Sequence, residues 1–395
     1  MRTKKLFLLL LALGVLATGC TSDDGDGGAA EDPAGEGGDA ALPDATGAVG
    51  APTDAPTAEG ETTPADTGTS APSAGGDTLA AVQERGSVIC GVNDAVPGFG
   101  FTDEQGNFSG FDIDFCRAIA AGVLGDPEAV EFRPLTADQR FTALGSGEID
   151  VLVRNTTWTA TRDGAEGATF LTTTYYDGQG MMVRTGEFES IDDMAGTAIC
   201  VLQGTTTEAN LATRFAGIDY EPVTFPDNDT LQAAFVEGRC DGWTSDRSQL
   251  AGVRSNFPEG PEALTILDEV FSKEPLGPAV RDGDVAWAQA VDWVTFATIT
   301  AEELGITQDN VEEMAGGDDD AIKAFLGQPV GEDEAVIMPE LGLDPSYATD
   351  VISAVGNYGE IFERNVGSEG LGLDRGINAL WTADPPGLHY APPYR

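Results

Sequence analysis

The stretch Asp138–Val153, DQRFTALGSGEIDVLV, passes from a helical pattern to a strand pattern within a few residues. Residues 138–146 predict a helix, and the apolar run 149–153 predicts a short buried strand. The alternation extends towards the N-terminus, with a predicted strand at 87–92, a helix at 111–124 and a strand at 129–132. Strands that alternate with crossover helices are typical of a parallel sheet covered by helices on both faces.

A second series of the same kind begins at Ile191. It contains predicted strands at 197–202, 221–225 and 239–244 and predicted helices at 207–215 and 228–237. Because the alternation occurs twice, the sequence predicts an α/β protein of two lobes rather than one barrel. Ligands of open α/β sheets bind at the carboxyl ends of the strands, so we expect a site between the lobes.

The composition excludes several classes of function. The 395 residues carry a formal net charge of −47, with 67 acidic against 20 basic side chains. Nucleic-acid binding needs clustered Lys and Arg, so the charge argues against that partner. The single histidine, His389, excludes motifs with two histidine ligands and argues against a His-centred catalytic triad. No metal or cofactor is predicted.

The N-terminus has the pattern of an export signal. Met1–Cys20, MRTKKLFLLLLALGVLATGC, combines a basic start, a short apolar run and small residues before a cysteine. Its end, LATGC, resembles a bacterial lipobox, which implies a signal peptide over 1–19 and a lipid on Cys20. The alternative is an ordinary secretory signal in which Cys20 is incidental.

Residues 20–77 are expected to form a disordered acidic tether behind the lipidated cysteine. The segment after Cys20 consists mainly of Gly, Ala, Asp, Glu, Pro, Thr and Ser, without an aromatic residue. Such a composition cannot bury enough apolar surface to offset the entropy lost on ordering. The protein is therefore predicted to be extracytoplasmic, held to the cell membrane only by its lipid.

Three polar loops follow predicted strands at the same edge of the two sheets. The first, 152–162, contains Arg162, whose fork suits a carboxylate. The second, 202–208, offers Gly204 and a helix N-terminus that attracts anions. The third, 241–246, ends in Asp246, which could bind an ammonium group. Singly they could be a surface loop and two helix caps, but together they complement an amino acid.

The chain beyond the tether resembles the bacterial extracellular solute-binding proteins of family 3, especially the general L-amino-acid-binding branch. The resemblance is carried by the segments ICGV, GFDIDFCRAIA, FTALGSGEIDVLVRNTTWTATRD, YYDGQGMMV, LQGTTTE, GRCDGWTSD and SKEPLGPAVRDGD, and by VGNYGEIFERNVG, GINALW and YAPPYR near the end.

This resemblance implies a type II periplasmic-binding-protein fold, with two lobes of mostly parallel sheet joined by a hinge. Lobe 1 is expected at 78–183 plus 279–395, including a C-terminal extension, and lobe 2 at 184–278. The implied protein is a monomer that closes on an L-amino acid and delivers it to the permease and ATPase of an ABC importer, without catalysis.

The resemblance also assigns roles to particular residues. It implies that Arg162, the backbone at Thr157 and the helix N-terminus at Thr206–Thr207 bind the ligand carboxylate. Asp246, helped by Asn155 and Thr157, is expected to bind the ammonium group. Asn93 and Phe99 fall where the family usually lines the side-chain pocket. Many relatives carry an acidic residue in place of Asn93, so its presence argues against a preference for basic ligands.

Four cysteines remain once Cys20 is set aside, and four cysteines allow three disulfide connectivities. An even number in an exported chain favours disulfides. A bond between the lobes would lock a hinge that has to move. We therefore predict the bonds Cys90–Cys116 and Cys200–Cys240, one in each lobe.

Two other functions remain compatible with the sequence. Some relatives of this fold are enzymes that dehydrate cyclohexadienyl amino acids, which would need an acid or base in the cleft. The other alternative is a ligand-sensing module that works through a membrane receptor.

Overall fold

A computed structural model describes residues 77–333, 335–337 and 340–394. The predicted signal peptide, Cys20 and almost all of the tether lie outside these residues. The strands are β1 Val88–Val92, β2 Ala95–Val96, β3 Gly100–Thr102, β4 Phe108–Ser109, β5 Val130–Pro134, β6 Val151–Leu152, β7 Ala168–Phe170, β8 Tyr175–Asp177, β9 Gln179–Arg184, β10 Ala198–Leu202, β11 Glu221–Phe225, β12 Gly242–Asp246, β13 Leu264–Ile266, β14 Glu274–Leu276 and β15 Ala279–Arg281.

The helices alternate with these strands along most of the chain. They are α1 Thr78–Arg85, α2 Phe111–Leu124, α3 Arg140–Ser146, α4 Ala160–Ala165, α5 Thr206–Arg214, α6 Asn228–Val236, α7 Arg247–Ser255, α8 Val285–Glu303, α9 Val311–Ala315, α10 Asp320–Phe325, α11 Tyr347–Val355 and α12 Tyr358–Asn365, with 3₁₀ turns at Ile191–Met194, Pro261–Ala263 and Gly376–Asn378. None of the described helices is long and apolar enough to cross a membrane.

Two five-stranded sheets confirm the predicted pair of α/β lobes. Sheet 1 has the strand order β5-β1-β6-β15-β7, and sheet 2 the order β11-β10-β12-β9-β13. In each sheet the first three strands are parallel. The other pairings are antiparallel. Helices cover both faces of each sheet, because two apolar clusters flank each one.

The boundary between the lobes differs from the prediction that lobe 2 begins at residue 184. Strand β9, Gln179–Arg184, pairs with β12 and β13 in sheet 2. Its buried sequence QGMMVR is compatible with either sheet, so the pattern could not assign it. All strands of sheet 2 therefore come from one continuous segment, 179–266, whereas sheet 1 is complete only when β15 returns to it.

The chain crosses between the lobes twice, through β8 and β14, which pair with each other in an antiparallel ribbon. A residue of the C-terminal extension holds this ribbon. The Asn378 side-chain amide donates to the Tyr176 carbonyl oxygen at 3.0 Å, and its oxygen accepts from the Tyr176 N–H at 2.7 Å. His389 packs on the Tyr176 ring at 5.3 Å between centroids. The extension therefore contacts the hinge itself.

The C-terminal extension is part of the core of lobe 1. Its helices α11 and α12 pack against α2 and α8 through buried residues such as Val351 and Phe362. Arg364 donates two hydrogen bonds to the Asp114 carboxylate of α2, at 3.1 and 2.8 Å. Asp114 therefore anchors the extension, in addition to its favourable position near a helix N-terminus.

The predicted disulfides are confirmed. Cys90 in β1 is bonded to Cys116 in α2, with 6.2 Å between their Cα atoms. Cys200 in β10 is bonded to Cys240 beside β12, at a Cα separation of 5.7 Å. Each bond stays within one lobe, so neither opposes a hinge motion.

Candidate functional site

A narrow cavity lies between the lobes at the carboxyl ends of β6, β10 and β12, the edge where the three polar loops were expected. Its volume is about 20 Å³, and it borders a second cavity of about 190 Å³ that shares Arg154, Leu202 and Asn228. The narrow cavity is lined by Arg140, Arg154, Asn155, Thr157, Arg162, Leu202, Thr205, Thr206, Thr207, Asn228, Ser245, Asp246 and Gln249.

Arg162 enters the cavity from α4, a short helix capped by Thr159, whose hydroxyl accepts from the Arg162 N–H at 3.2 Å. The guanidinium Nη1 donates to the Thr157 carbonyl oxygen at 2.9 Å. The Phe141 ring lies 5.6 Å from its central carbon. Burial lowers the pKa of Arg162, while the carboxylates of Glu274 and Asp246 oppose that shift. The group is thus a buried, oriented cation.

The N-terminus of α5 faces the same cavity. Thr205 caps the helix by accepting from the Glu208 N–H at 3.1 Å. The Glu208 carboxylate accepts from the Gly204 N–H at 2.9 Å. Thr206 and Thr207 form the first turn and line the cavity. The free backbone N–H groups of such a turn favour an anion.

Asp246 ends β12 and is buried at the floor of the cavity. Its Oδ1 has no hydrogen-bond partner among the described residues. Burial raises the pKa of Asp246, and Asp177 and Glu274 raise it further, whereas Arg162 and Arg140 lower it. A cationic ligand group beside Asp246 would therefore stabilise its ionised form.

Asn155 connects lobe 1 to the floor of lobe 2. Its backbone has a φ of 32°, a left-handed conformation that asparagine tolerates better than most residues. The N–H donates to the Asp112 carboxylate at 2.6 Å. The side-chain amide donates to Gln249 Oε1 at 3.1 Å and lies 3.5 Å from Asp246 Oδ2. Asn93 donates to the Asn155 side-chain oxygen, which fixes the orientation of the amide.

The two lobes touch across the cleft, so the structure has the closed arrangement. The hydroxyls of Thr157 and Thr206 lie 3.4 Å apart, one from each lobe. The Gln203 amide of lobe 2 donates to the Asp138 carboxylate of lobe 1. These contacts need both lobes, so a hinge opening would break them.

Most of the predicted site residues line the narrow cavity, and Asn93 lines the neighbouring one. Phe99 lines neither cavity. It is fully buried in lobe 1, with its ring centroid 5.3 Å from Tyr175, so the prediction that it lines the side-chain pocket is wrong. Gly204 also lines neither cavity, and it lies where lobe 2 approaches lobe 1, because a Cβ there would lie 1.9 Å from Asp138 Oδ1.

Arg140 and Arg154 also line the cavity, and the sequence analysis missed both. Arg140 precedes a predicted strand instead of following one. Arg154 lies in the first polar loop and in the same family segment as Arg162, but the resemblance assigned a role only to Arg162. The described residues contain no cluster of side chains suited to a metal ion.

The sequence model of the bacterial extracellular solute-binding proteins, family 3, matches residues 88–309, more than half of the chain. The chain belongs to this family. A relative of similar length supports this assignment. The general L-amino acid-binding periplasmic protein AapJ of Rhizobium johnstonii is 51% identical to this solute-binding protein, over 83% of this chain and 95% of AapJ.

Two other relatives cover the solute-binding protein to a similar extent. The glutamate/glutamine/aspartate/asparagine-binding protein BztA of Rhodobacter capsulatus is 46% identical over 82% of this chain and 95% of its own. An ABC transporter periplasmic binding protein from Brucella ovis, solved with glutathione bound, is 47% identical with a TM-score of 0.77, over 81% of this chain and 99% of its own. Thus the likeness includes the C-terminal extension.

Proposed function

We propose that this solute-binding protein captures an L-amino acid between its lobes outside the cytoplasm and delivers it to the permease and ATPase of an ABC importer. The observation that carries this proposal is the pairing of Arg162 and the α5 N-terminus with Asp246 in one cavity. The first two suit an α-carboxylate and the third suits an α-ammonium group. The names of AapJ and BztA, both amino-acid-binding proteins, support the same ligand class.

The hinge explains how binding would be coupled to delivery. The carboxylate-binding groups lie on both lobes, Arg162 on lobe 1 and the α5 N-terminus on lobe 2. A ligand that contacts both binds the closed state better than the open one and shifts the population towards closure. A permease that recognises the closed pair of lobes would then receive only loaded protein.

Titration calorimetry with the L-amino acids tests the proposed ligand class. We expect saturable binding of at least one of them by the purified protein. The experiment should start from protein that has been unfolded, dialysed and refolded, which removes any ligand carried through purification. Absence of binding by every L-amino acid would contradict the proposal.

We expect binding to weaken on acidification. Burial raises the pKa of Asp246, which must be ionised to hold an ammonium group, so below that pKa binding has to release a proton. The dissociation constant should rise about tenfold for each pH unit below that pKa. Calorimetry from neutral pH to about pH 4 would measure this slope, and Asp246→Asn should flatten it. An affinity independent of pH in the wild-type protein would contradict the role of Asp246.

We propose that the protein is not an enzyme. His389 is buried in the C-terminal extension, and burial lowers its pKa to about 3, so it is neutral. It is not among the residues that line the cavity. The relatives AapJ and BztA are named for binding. Incubation with prephenate or arogenate is expected to leave both unchanged, and turnover would refute this part of the proposal.

We further propose that a lipid on Cys20 holds the monomeric protein to the membrane. The basis is the sequence LATGC after a basic and apolar leader. Cell fractionation of Cys20→Ser is expected to find the protein released but folded. Retention of that variant in the membrane after a high-salt wash would contradict the anchor.

A further inference from the structure

Tyr176 is the middle residue of hinge strand β8, and its backbone groups face away from the ribbon. Across the ribbon it is paired with Pro275, which has no N–H to donate. The N–H and the carbonyl oxygen of Tyr176 bond instead to the side chain of Asn378, which is only 4% exposed. An amide that both donates and accepts in this way takes the place of a third strand on the outer edge of the ribbon.

Asn378 is itself fixed to lobe 1. Its carbonyl oxygen accepts from Nε and Nη2 of Arg375 at 3.2 and 3.1 Å. The Arg375 guanidinium forms an ion pair with Glu302 of α8 at 3.1 Å, and α8 belongs to the core of lobe 1. Tyr176 is therefore tied to lobe 1 through the extension, in addition to its connection along the chain.

The residues that follow Tyr176 are fixed to lobe 2. The Asp177 carboxylate accepts from the Ser248 N–H at 3.1 Å, and the Gly178 carbonyl oxygen accepts from the Arg247 N–H at 3.0 Å. Both donors belong to the first turn of α7. The chain thus passes from contacts with lobe 1 to contacts with lobe 2 between two neighbouring residues.

The returning strand β14 changes lobes at the same level of the ribbon. Glu274 lies opposite Asp177, and its carboxylate accepts from the Thr206 hydroxyl of α5 at 2.9 Å. The next residue, Pro275, accepts at its carbonyl oxygen from the Trp158 N–H of lobe 1 at 2.9 Å. Both crossings change lobes at facing positions, which suits a hinge that bends at one level.

We infer that Asn378 is a positioning residue that clamps hinge strand β8 to lobe 1 as far as Tyr176. Bending is then confined to the facing residues Asp177 and Glu274. The inference rests on the proposed function, in which the ligand is held when closure brings Arg162 and the α5 N-terminus together.

The clamp favours closure because it orders the hinge strand before the ligand binds. Without Asn378, Tyr176 would move more freely in the open state and would have to be ordered again on closure. Fixing the backbone of a single residue changes an equilibrium constant by about 5-fold to 30-fold. A hinge strand that is already ordered avoids this loss, so the clamp should strengthen the binding of every ligand alike.

Titration calorimetry of Asn378→Ala, with each L-amino acid that the wild-type protein binds, tests this role. We expect the dissociation constant to rise by about 5-fold to 30-fold, with the same factor for every ligand. Asn365→Ala is the matched control, because the Asn365 amide also belongs to the extension but donates within lobe 1, to Asp114 and to the Ile361 carbonyl oxygen. This control should lower the thermal stability and leave every affinity unchanged.

Hydrogen exchange at the Tyr176 N–H reports on the clamp directly, because the Asn378 side chain is its acceptor. In the wild-type protein the exchange should be equally slow with and without ligand, since a clamp within lobe 1 persists when the lobes open. In Asn378→Ala the exchange should be fast without ligand and slower with it. Mass spectrometry with electron-transfer fragmentation resolves this single amide.

Four results would overturn the inference. Unchanged affinity in folded Asn378→Ala would show that the clamp does not influence closure, and an equal loss in Asn365→Ala would reduce the effect to general destabilisation. A loss that differs among ligands would place the action of the extension on the ligand side chain. Fast wild-type exchange at Tyr176 without ligand would show that the clamp opens with the hinge, a result that decides even if Asn378→Ala fails to fold.

The proposed function fails by a different result. If the wild-type protein bound no L-amino acid, the proposed function would be refuted, whereas slow exchange at Tyr176 would still support the clamp.

Discussion

Replacing Arg162 or Asp246 by alanine is expected to weaken the binding of every amino-acid ligand by about 30-fold or more. Each truncation leaves one charge of the ligand buried without its partner, a loss of about 2–5 kcal/mol. In the proposed function both residues bind groups that all α-amino acids share. The loss measured by calorimetry should therefore be similar for neutral and acidic ligands.

A surface arginine provides the control for this experiment. Arg214 forms an ion pair with Asp192 on lobe 2, away from the cavity. Arg214→Ala should leave every affinity unchanged. Near-wild-type affinity in both Arg162→Ala and Asp246→Ala would show that the site lies elsewhere, and a loss restricted to one ligand would show that these residues contact side chains.

The second large effect is expected at Gly252, where lobe 2 meets lobe 1. A Cβ at Gly252 in α7 would lie 2.3 Å from the carbonyl oxygen of Pro97 in lobe 1. Gly252→Ala should therefore destabilise the closed state by about 1–3 kcal/mol, as overpacking typically does. In the proposed function the ligand binds the closed state, so affinity for all ligands should fall by roughly 5-fold to 150-fold.

The open state of this variant should be unharmed or more stable, because alanine favours a helix over glycine. Gly145→Ala in α3 is the matched control, since a Cβ there meets nothing within 4 Å. Calorimetry gives the affinity, and small-angle X-ray scattering with saturating ligand reports whether the lobes close. Unchanged affinity and full closure in Gly252→Ala would mean that the lobes do not approach in this way.

The alternation of strands and helices predicted the two lobes, because apolar periodicity reports directly on sheets covered on both faces. It could not place β9, since the buried run Gln179–Arg184 would suit either sheet. Only the pairing of β9 with β12 decides between them. The C-terminal helices contribute to the core of lobe 1 through contacts with α2 and α8 that no local pattern encodes.

Some residues of the site could likewise be predicted from the sequence, and others are placed only by tertiary contacts. Arg162, Thr206 and Asp246 could be found from the sequence, because they follow strands at one edge of the sheets. Arg140 precedes a strand and reaches the cavity only because α3 packs against sheet 1. The sequence could not place Phe99, because an aromatic ring is equally suitable for lining a ligand pocket and for packing in a core. Its ring contacts with Phe111 and Tyr175 show that it belongs to the core of lobe 1.

The continuous origin of sheet 2 has a consequence for the order of folding. All of its strands lie between Gln179 and Ile266, so its contacts close shorter loops than those of sheet 1, which must wait for β15. Short loops form earlier because their closure loses less entropy. During refolding, lobe 2 should therefore acquire protection against hydrogen exchange before lobe 1. A chain that ends after residue 273 would contain every strand of sheet 2, so its second lobe could still fold, whereas its first lobe would lack β15.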